Sequence, residues 1–174
     1  GHHVNVDLAG PLYDGRADTL WGQALGPFES DAEMGATRLF VAKQIFQRYR
    51  APYEALFGAM PALDDTARFP ANGKPGMPEW IAMAAADQDA TTRVFVNVGK
   101  SIAAFERTLR VQPSKFDAYV GGDLSALTDT EKATVHNFFE SSCVQCHHGP
   151  RLTNDAFHNL RFATGRQDGK PDRG

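Results

Sequence analysis

Two cysteines, Cys143 and Cys146, stand three positions apart, and His147 follows the second directly. They are the only cysteines in the 174 residues. Thiols at this spacing can each form a thioether to one vinyl group of a haem, and an imidazole directly after them is held beneath the iron as its axial ligand. The pentapeptide Cys143-Val144-Gln145-Cys146-His147 therefore predicts covalent haem c and redox chemistry. The rival readings ask for features the sequence lacks. A thioredoxin-type pair expects a βαβ context. A zinc site needs four ligands, and His148 and His158 would have to complete it at an unusual spacing. A disulfide between Cys143 and Cys146 is the remaining alternative.

The element pattern that must position this motif is mainly α, with no alternating strand pattern and no internal repeat. Thr128-Asp129-Thr130-Glu131 reads as a capping box opening a helix that buries Val135, Phe138 and Phe139 and runs directly into the motif. The clearest helix is predicted from Asp89 to Leu109, with Val94, Val98, Ile102, Phe105 and Leu109 on one core-facing stripe. Residues 36–49 read as a helix with Leu39, Ala42, Ile45, Phe46 and Tyr49 on one side, followed by short helices over 53–57 and 116–120. Gly and Pro break the first 35 residues into loop and short helix, Leu25-Gly26-Pro27 among the breaks. Residues 61–78, with Pro61, Pro70, Pro75 and Pro78, read as a surface excursion.

Composition bounds the rest. The apolar fraction of 42% and charged fraction of 22% are those of a globular chain with room for a core. A formal net charge of −3 gives no reason to expect nucleic acid or an anionic membrane as partner. No apolar run approaches the roughly 20 residues of a membrane span. The chain opens on Gly-His-His-Val-Asn rather than a basic and then apolar leader, so the expectation is a removed leader or a start within a longer protein. Covalent haem c and the lack of other cysteines predict assembly in the periplasm.

Several segments resemble the bacterial di-haem cytochrome c peroxidases, a family that includes the MauG-like enzymes. They are Tyr13-Asp14-Gly15-Arg16-Ala17-Asp18-Thr19-Leu20, Gln23-Ala24-Leu25-Gly26-Pro27, Glu33-Met34-Gly35, Ala103 to Leu109, Ser114 to Tyr119, and Cys146-His147-His148-Gly149-Pro150 with Leu152-Thr153 and Phe157-His158-Asn159. The resemblance covers nearly the whole chain apart from 59–92. It implies cytochrome c-like helical haem domains with long loops. Residues 1–58 would be the distal-pocket part of a first, peroxidatic haem domain, and 59–92 a loop-rich insertion with the start of a connecting helix. Residues 93–174 would form a second haem domain lacking its C-terminal part. The chain would be an internal part of a longer protein, with a second haem, a distal ligand for the haem at His147 and the ligands of an interdomain calcium all outside it.

By the same resemblance, Glu33, Gln23 and Pro27 line the peroxide pocket. The residue types suit that chemistry. A carboxylate can move a proton from one peroxide oxygen to the other, an amide can hold the peroxide by hydrogen bonds, and a proline limits the space beside the iron. The structural alternative for Glu33 is a capping box, Ser30-Asp31-Ala32-Glu33. Tyr13 stands where the family commonly has a tryptophan and would relay electrons; the alternative is a packed aromatic with a satisfied hydroxyl. Trp21 and Trp80 are further aromatic candidates, read first as packing residues, and Arg16 as a partner of a haem propionate or of a neighbouring Asp. His158 reads as structural rather than as an iron ligand. The expected function is reduction of hydrogen peroxide with electrons from a small cytochrome c or cupredoxin. The alternatives are MauG-like oxidation of Trp or Tyr in a partner protein, and a haem c electron-transfer subunit without peroxide chemistry. A homodimer is compatible with the family.

Overall fold

The computed structural model describes residues 17–156 and 158. Among them there are helices and loops and no strand, a mainly α fold as expected. The described residues form two compact units, one holding 17–108 and the other 109–156 with 158.

The first unit contains α1 (Leu20–Glu29), α2 (Arg38–Phe57), the single turn α3 (Pro78–Ile81) and α4 (Ala85–Glu106). Thr19 caps α1 by accepting the Gly22 N–H at 3.1 Å. Leu25-Gly26-Pro27 does not break the chain but lies inside α1. Pro27 comes in the last turns, where its missing N–H costs only the bond to the Gln23 carbonyl. α1 lies against α4 at Gly99, where a Cβ would sit 2.6 Å from the Trp21 carbonyl oxygen. In α2, Pro52 removes the donor that the Arg48 carbonyl would use, and the helix kinks at Tyr49 (φ −132°, ψ 19°). Leu39 and Ala42 are buried as the periodicity predicts, while Tyr49, at the kink, is exposed.

The core of this unit corrects two readings. Residues 61–78 are not a surface excursion. Leu63 and Phe69 are 1% and 0% exposed and pack with Leu39, Ala42, Tyr53, Met60, Trp80, Met83 and Val94. Each large side chain buried in this way contributes about 1.5–3 kcal/mol. The buried Asn97 and Asp87 are paired: the Asn97 amide donates to the Tyr53 hydroxyl at 2.8 Å, and Arg68 grips the Asp87 carboxylate through two N–H groups at 2.5 and 3.2 Å. The predicted stripe of α4 is core only in its first half. Val94 is buried and Val98 and Ile102 are partly buried, but Phe105 and Leu109 are 65% and 61% exposed. The helix instead buries Thr91, Phe95, Asn97, Gly99 and Ala103 as well, because both α1 and α2 pack on it.

The second unit contains α5 (Lys115–Val120), α6 (Asp129–Glu140) and a 3-10 turn over Ser142–Gln145. Both helices open on capping boxes, Ser114 with Asp117 and Thr128 with Glu131. The Lys115 ammonium meets the Glu131 carboxylate at 3.3 Å and ties the two starts together. Neither helix buries a residue, and Leu127 is the one buried apolar side chain among the unit's described residues. Val135 and Phe138 are half-buried and Phe139 is exposed, where the sequence pattern predicts a buried face.

Candidate functional site

α6 delivers the chain into the motif through a short series of local bonds. The Ser141 hydroxyl donates to the Phe138 carbonyl at 2.8 Å and accepts the Cys143 N–H at 3.3 Å, which starts the 3-10 turn. The Cys143 carbonyl then accepts the Cys146 and His147 N–H groups at 3.2 and 2.9 Å. The turn thus fixes the two sulfurs and the imidazole relative to one backbone oxygen. Cys143 and Cys146 are free thiols, so the disulfide alternative is not formed.

The imidazole of His147 is oriented from behind. Its Nδ1 lies 3.0 Å from the Leu152 carbonyl oxygen. A carbonyl only accepts, so Nδ1 carries the proton and donates, and Nε2 is left with a free lone pair. A bond of this kind fixes the tautomer of a ligating histidine and aims its ring. It has a local cost: Leu152 adopts φ +51°, a left-handed conformation unusual for a leucine. The loop is further tied by Asn154 N–H to the Cys146 carbonyl at 2.9 Å and Leu152 N–H to the Gly149 carbonyl at 3.0 Å.

A hollow of about 260 Å³, open on one side, is lined by Phe116, Thr134, Val135, Phe138, Phe139 and Leu152, and two of these, Phe138 and Leu152, also meet His147. Phe138 sits 6.4 Å from the His147 ring, centre to centre, and edge-on to Phe139 at 5.2 Å. Two thiols, an imidazole with Nε2 available and an almost wholly apolar hollow fit a haem c. The apolar faces of α5 and α6 find no other cover within the unit's own described side chains. The His158 Nε2 lies 3.0–3.1 Å from the Asn154 amide. His148 is exposed.

The second group of candidates lies in the first unit. Gln23 and Pro27 are four residues apart on α1 and so share a face. Both are half-buried. Glu33 lies in the exposed turn that follows. Ser30 closes α1 rather than opening a new helix, so the capping-box alternative for Glu33 is not formed. The turn is built on the Ser30 carbonyl, which accepts the N–H groups of Glu33 at 3.0 Å and Gly35 at 2.9 Å, with Gly35 at φ +57°. The neighbouring Met34 N–H donates to the Pro27 carbonyl at 3.1 Å, so the backbone around Glu33 is tied to the helix bearing Gln23 and Pro27. Tyr13, Asp14 and Arg16 lie outside the described residues. Trp80 is buried in the core and Trp21 half-buried against α4, as packing residues.

Sequence reasoning missed the residues that hold the Glu33 turn. Glu29 receives a forked pair of bonds from Arg38 (Nε to Oε1 and Nη2 to Oε2, both 2.9 Å), and Arg38 Nη1 donates to Thr92 at 3.3 Å. The Arg38 guanidinium also lies 5.4 and 5.5 Å from the ring centres of Trp80 and Phe95. Nothing in the local spacing of Glu29 and Arg38 announces this. The Leu152 carbonyl was equally invisible, since its aim depends on one backbone dihedral.

The family described as di-haem cytochrome c peroxidase matches residues 3–125. That stretch contains Gln23, Pro27 and Glu33 and ends ahead of Cys143, so the family match and the haem-attachment motif are separate observations. Cytochrome c551 peroxidase of Pseudomonas aeruginosa is 32% identical over 151 residues, 86% of this chain and 35% of that protein. Cytochrome c551 peroxidase of Nitrosomonas europaea is 29% identical over 151 residues, again 86% of this chain and 36% of its own length. The methylamine utilization protein MauG of Methylophilus methylotrophus is 28% identical over 158 residues, 88% of this chain and 38% of that protein. The chain spans about a third of the length of these relatives. No helix among the described residues is long and apolar enough to cross a membrane. With a family match over most of its length, the chain belongs to the di-haem cytochrome c peroxidases.

Proposed function

We propose that this chain forms part of a periplasmic di-haem peroxidase that reduces hydrogen peroxide with electrons from a small redox protein. Cys143 and Cys146 would hold one haem c by thioethers and His147 would ligate its iron. When bound, haem c supplies an iron centre that takes up and passes on single electrons. The observation that carries this reading is the imidazole of His147, bonded through Nδ1 to the carbonyl of Leu152, a residue that also lines the apolar hollow. Residues 1–58 would contribute to a first haem domain and 93–174 to a second, with a second haem and an interdomain calcium bound by residues outside this chain.

In the peroxide pocket, Glu33 would take the proton from one peroxide oxygen and return it to the oxygen that leaves as water. Gln23 would hold the peroxide through its amide, and Pro27 would narrow the space next to it. Tyr13 would pass electrons between the two haems. The name of the Pseudomonas and Nitrosomonas relatives agrees with a small cytochrome c as donor; a cupredoxin is the other candidate, and a homodimer the candidate assembly. In the complete protein, Glu33→Gln should lower peroxide turnover with reduced cytochrome c by about a hundredfold or more, the range of a lost acid–base group, with haem content unchanged. Unchanged turnover would remove Glu33 from the chemistry.

A second reading is favoured by the match to MauG over 88% of the chain. In it the enzyme oxidises Trp or Tyr residues of a partner protein. The residue opposite His147 discriminates: methionine favours the peroxidase and tyrosine the protein-oxidising branch. One haem in the complete protein and no turnover with peroxide would leave an electron-transfer subunit instead.

A further inference from the structure

The last four carbonyls of a helix have no partners within it, and in α1 each finds one. Gly26 accepts the Ser30 N–H at 3.1 Å, Pro27 the Met34 N–H at 3.1 Å and Phe28 the Ala36 N–H at 2.8 Å. The first completes the helix, and the other two fold the chain back on itself and create the turn that carries Glu33. The fourth carbonyl, Glu29, is met from elsewhere: the Lys74 ammonium donates to it at 2.7 Å and to the Asp31 carboxylate, within the turn, at 3.1 Å.

We propose that Lys74 is a positioning residue that fixes the Glu33 turn, a role that rests on the reading of Glu33 as the pocket carboxylate. Three observations carry it. First, Lys74 is itself anchored. The Gly73 N–H donates to the Thr37 hydroxyl at 3.1 Å in a buried bond, and the Gly73 carbonyl accepts the Leu39 N–H at 3.1 Å, so the lysine stands on the fixed start of α2. Secondly, Glu29 is held at both ends, its carboxylate by Arg38 and its carbonyl by Lys74, so the hinge between α1 and the turn has little freedom. Thirdly, a cation at the C-terminus of a helix meets the negative end of its dipole, and this one is largely covered, with 24% of its side chain exposed. The bond to the exposed Asp31 adds little by itself; the carbonyl bond is the anchor. Lys74 comes from 59–92, outside the segments that carry the sequence resemblance, and reaches the turn only through the fold.

The test uses the complete haem-loaded protein and the variants Lys74→Met and Lys74→Arg, each with Glu33 and with Glu33→Gln. Lys74→Met should lower kcat/KM for hydrogen peroxide about tenfold, less than the hundredfold attributed to a misplacement of 1 Å. The loss should vanish in the Glu33→Gln background, and Lys74→Arg should restore most of it. Amide hydrogen exchange at Glu33, Met34 and Gly35 should quicken in Lys74→Met while α2 and α4 keep their protection, a readout that needs no turnover. Unchanged exchange in the turn, or an equal loss of kcat/KM with and without Glu33, overturns the proposal. If Glu33→Gln alone leaves turnover intact, the carboxylate reading fails and the positioning role falls with it; the exchange measurement still reports separately whether the clamp holds the turn.

Discussion

The two units solve the problem of a core in different ways. Residues 17–108 enclose their own: Leu39, Leu63, Phe69 and Val94 are essentially removed from solvent, and the loop-rich stretch 59–83 supplies several of the large side chains. Residues 109–156 bring comparable apolar side chains to one place, Phe116, Val135, Phe138, Phe139 and Leu152, but they surround a hollow instead of filling it. The first unit is stabilised by what its sequence contains. On the proposed reading, the second is arranged around a haem, which a protein chain encodes only as an attachment motif. Capping boxes and the exposed ion pairs Lys115–Glu131 and Lys132–Asp129 fix its helix starts, and such local, solvent-screened devices are too little to order the unit alone.

The largest effect that could break this contrast comes from removing the sulfurs. In the complete protein, Cys143→Ala combined with Cys146→Ala should abolish hydrogen-exchange protection in α5 and α6 while leaving α2 and α4 as they were. Equal protection in both units would mean that the second has a core of its own. A smaller, opposite effect is expected from Phe69→Ala, which should cost the first unit about 3–5 kcal/mol in denaturant unfolding and leave haem content unchanged. A neutral result would return residues 61–78 to the surface. The smallest effect concerns pH. The Thr128 N–H and hydroxyl, and then Lys115, hold the Glu131 carboxylate below the ordinary glutamate value near 4.5. A depressed carboxylate contributes stability above its unfolded value, lost as pH falls through the folded one. Acidification below about 4.5 should therefore quicken exchange at the start of α6, and Glu131→Gln should remove that dependence.

The contrast also explains what was legible in the sequence. Local chemistry could be read: Thr128 and Glu131 announce the start of α6, and the pentapeptide is the basis of the haem proposal. Periodicity gave the position of α4 to within a few residues but misjudged Phe105 and Leu109, because a repeating pattern does not say where the packing partner ends. Leu63 and Phe69 carry no period at all. They are buried by a chain that returns to α2, as the long-range bonds of Gly73 to Thr37 and Leu39 and of Lys43 to the Leu63 carbonyl show. In the candidate sites, His147 was named from type and spacing, and Gln23, Pro27 and Glu33 through the resemblance to the di-haem peroxidases. Arg38, Lys74 and the Leu152 carbonyl were not, since their roles depend on contacts across tens of residues or on one backbone angle.

The most direct measurement is the mass of the denatured protein, taken together with its visible absorbance. Covalent attachment predicts that the polypeptide containing Cys143 and Cys146 retains one haem after unfolding and acid extraction, and that both thiols resist alkylation. A colourless chain of unmodified mass, with two alkylatable thiols, would contradict it.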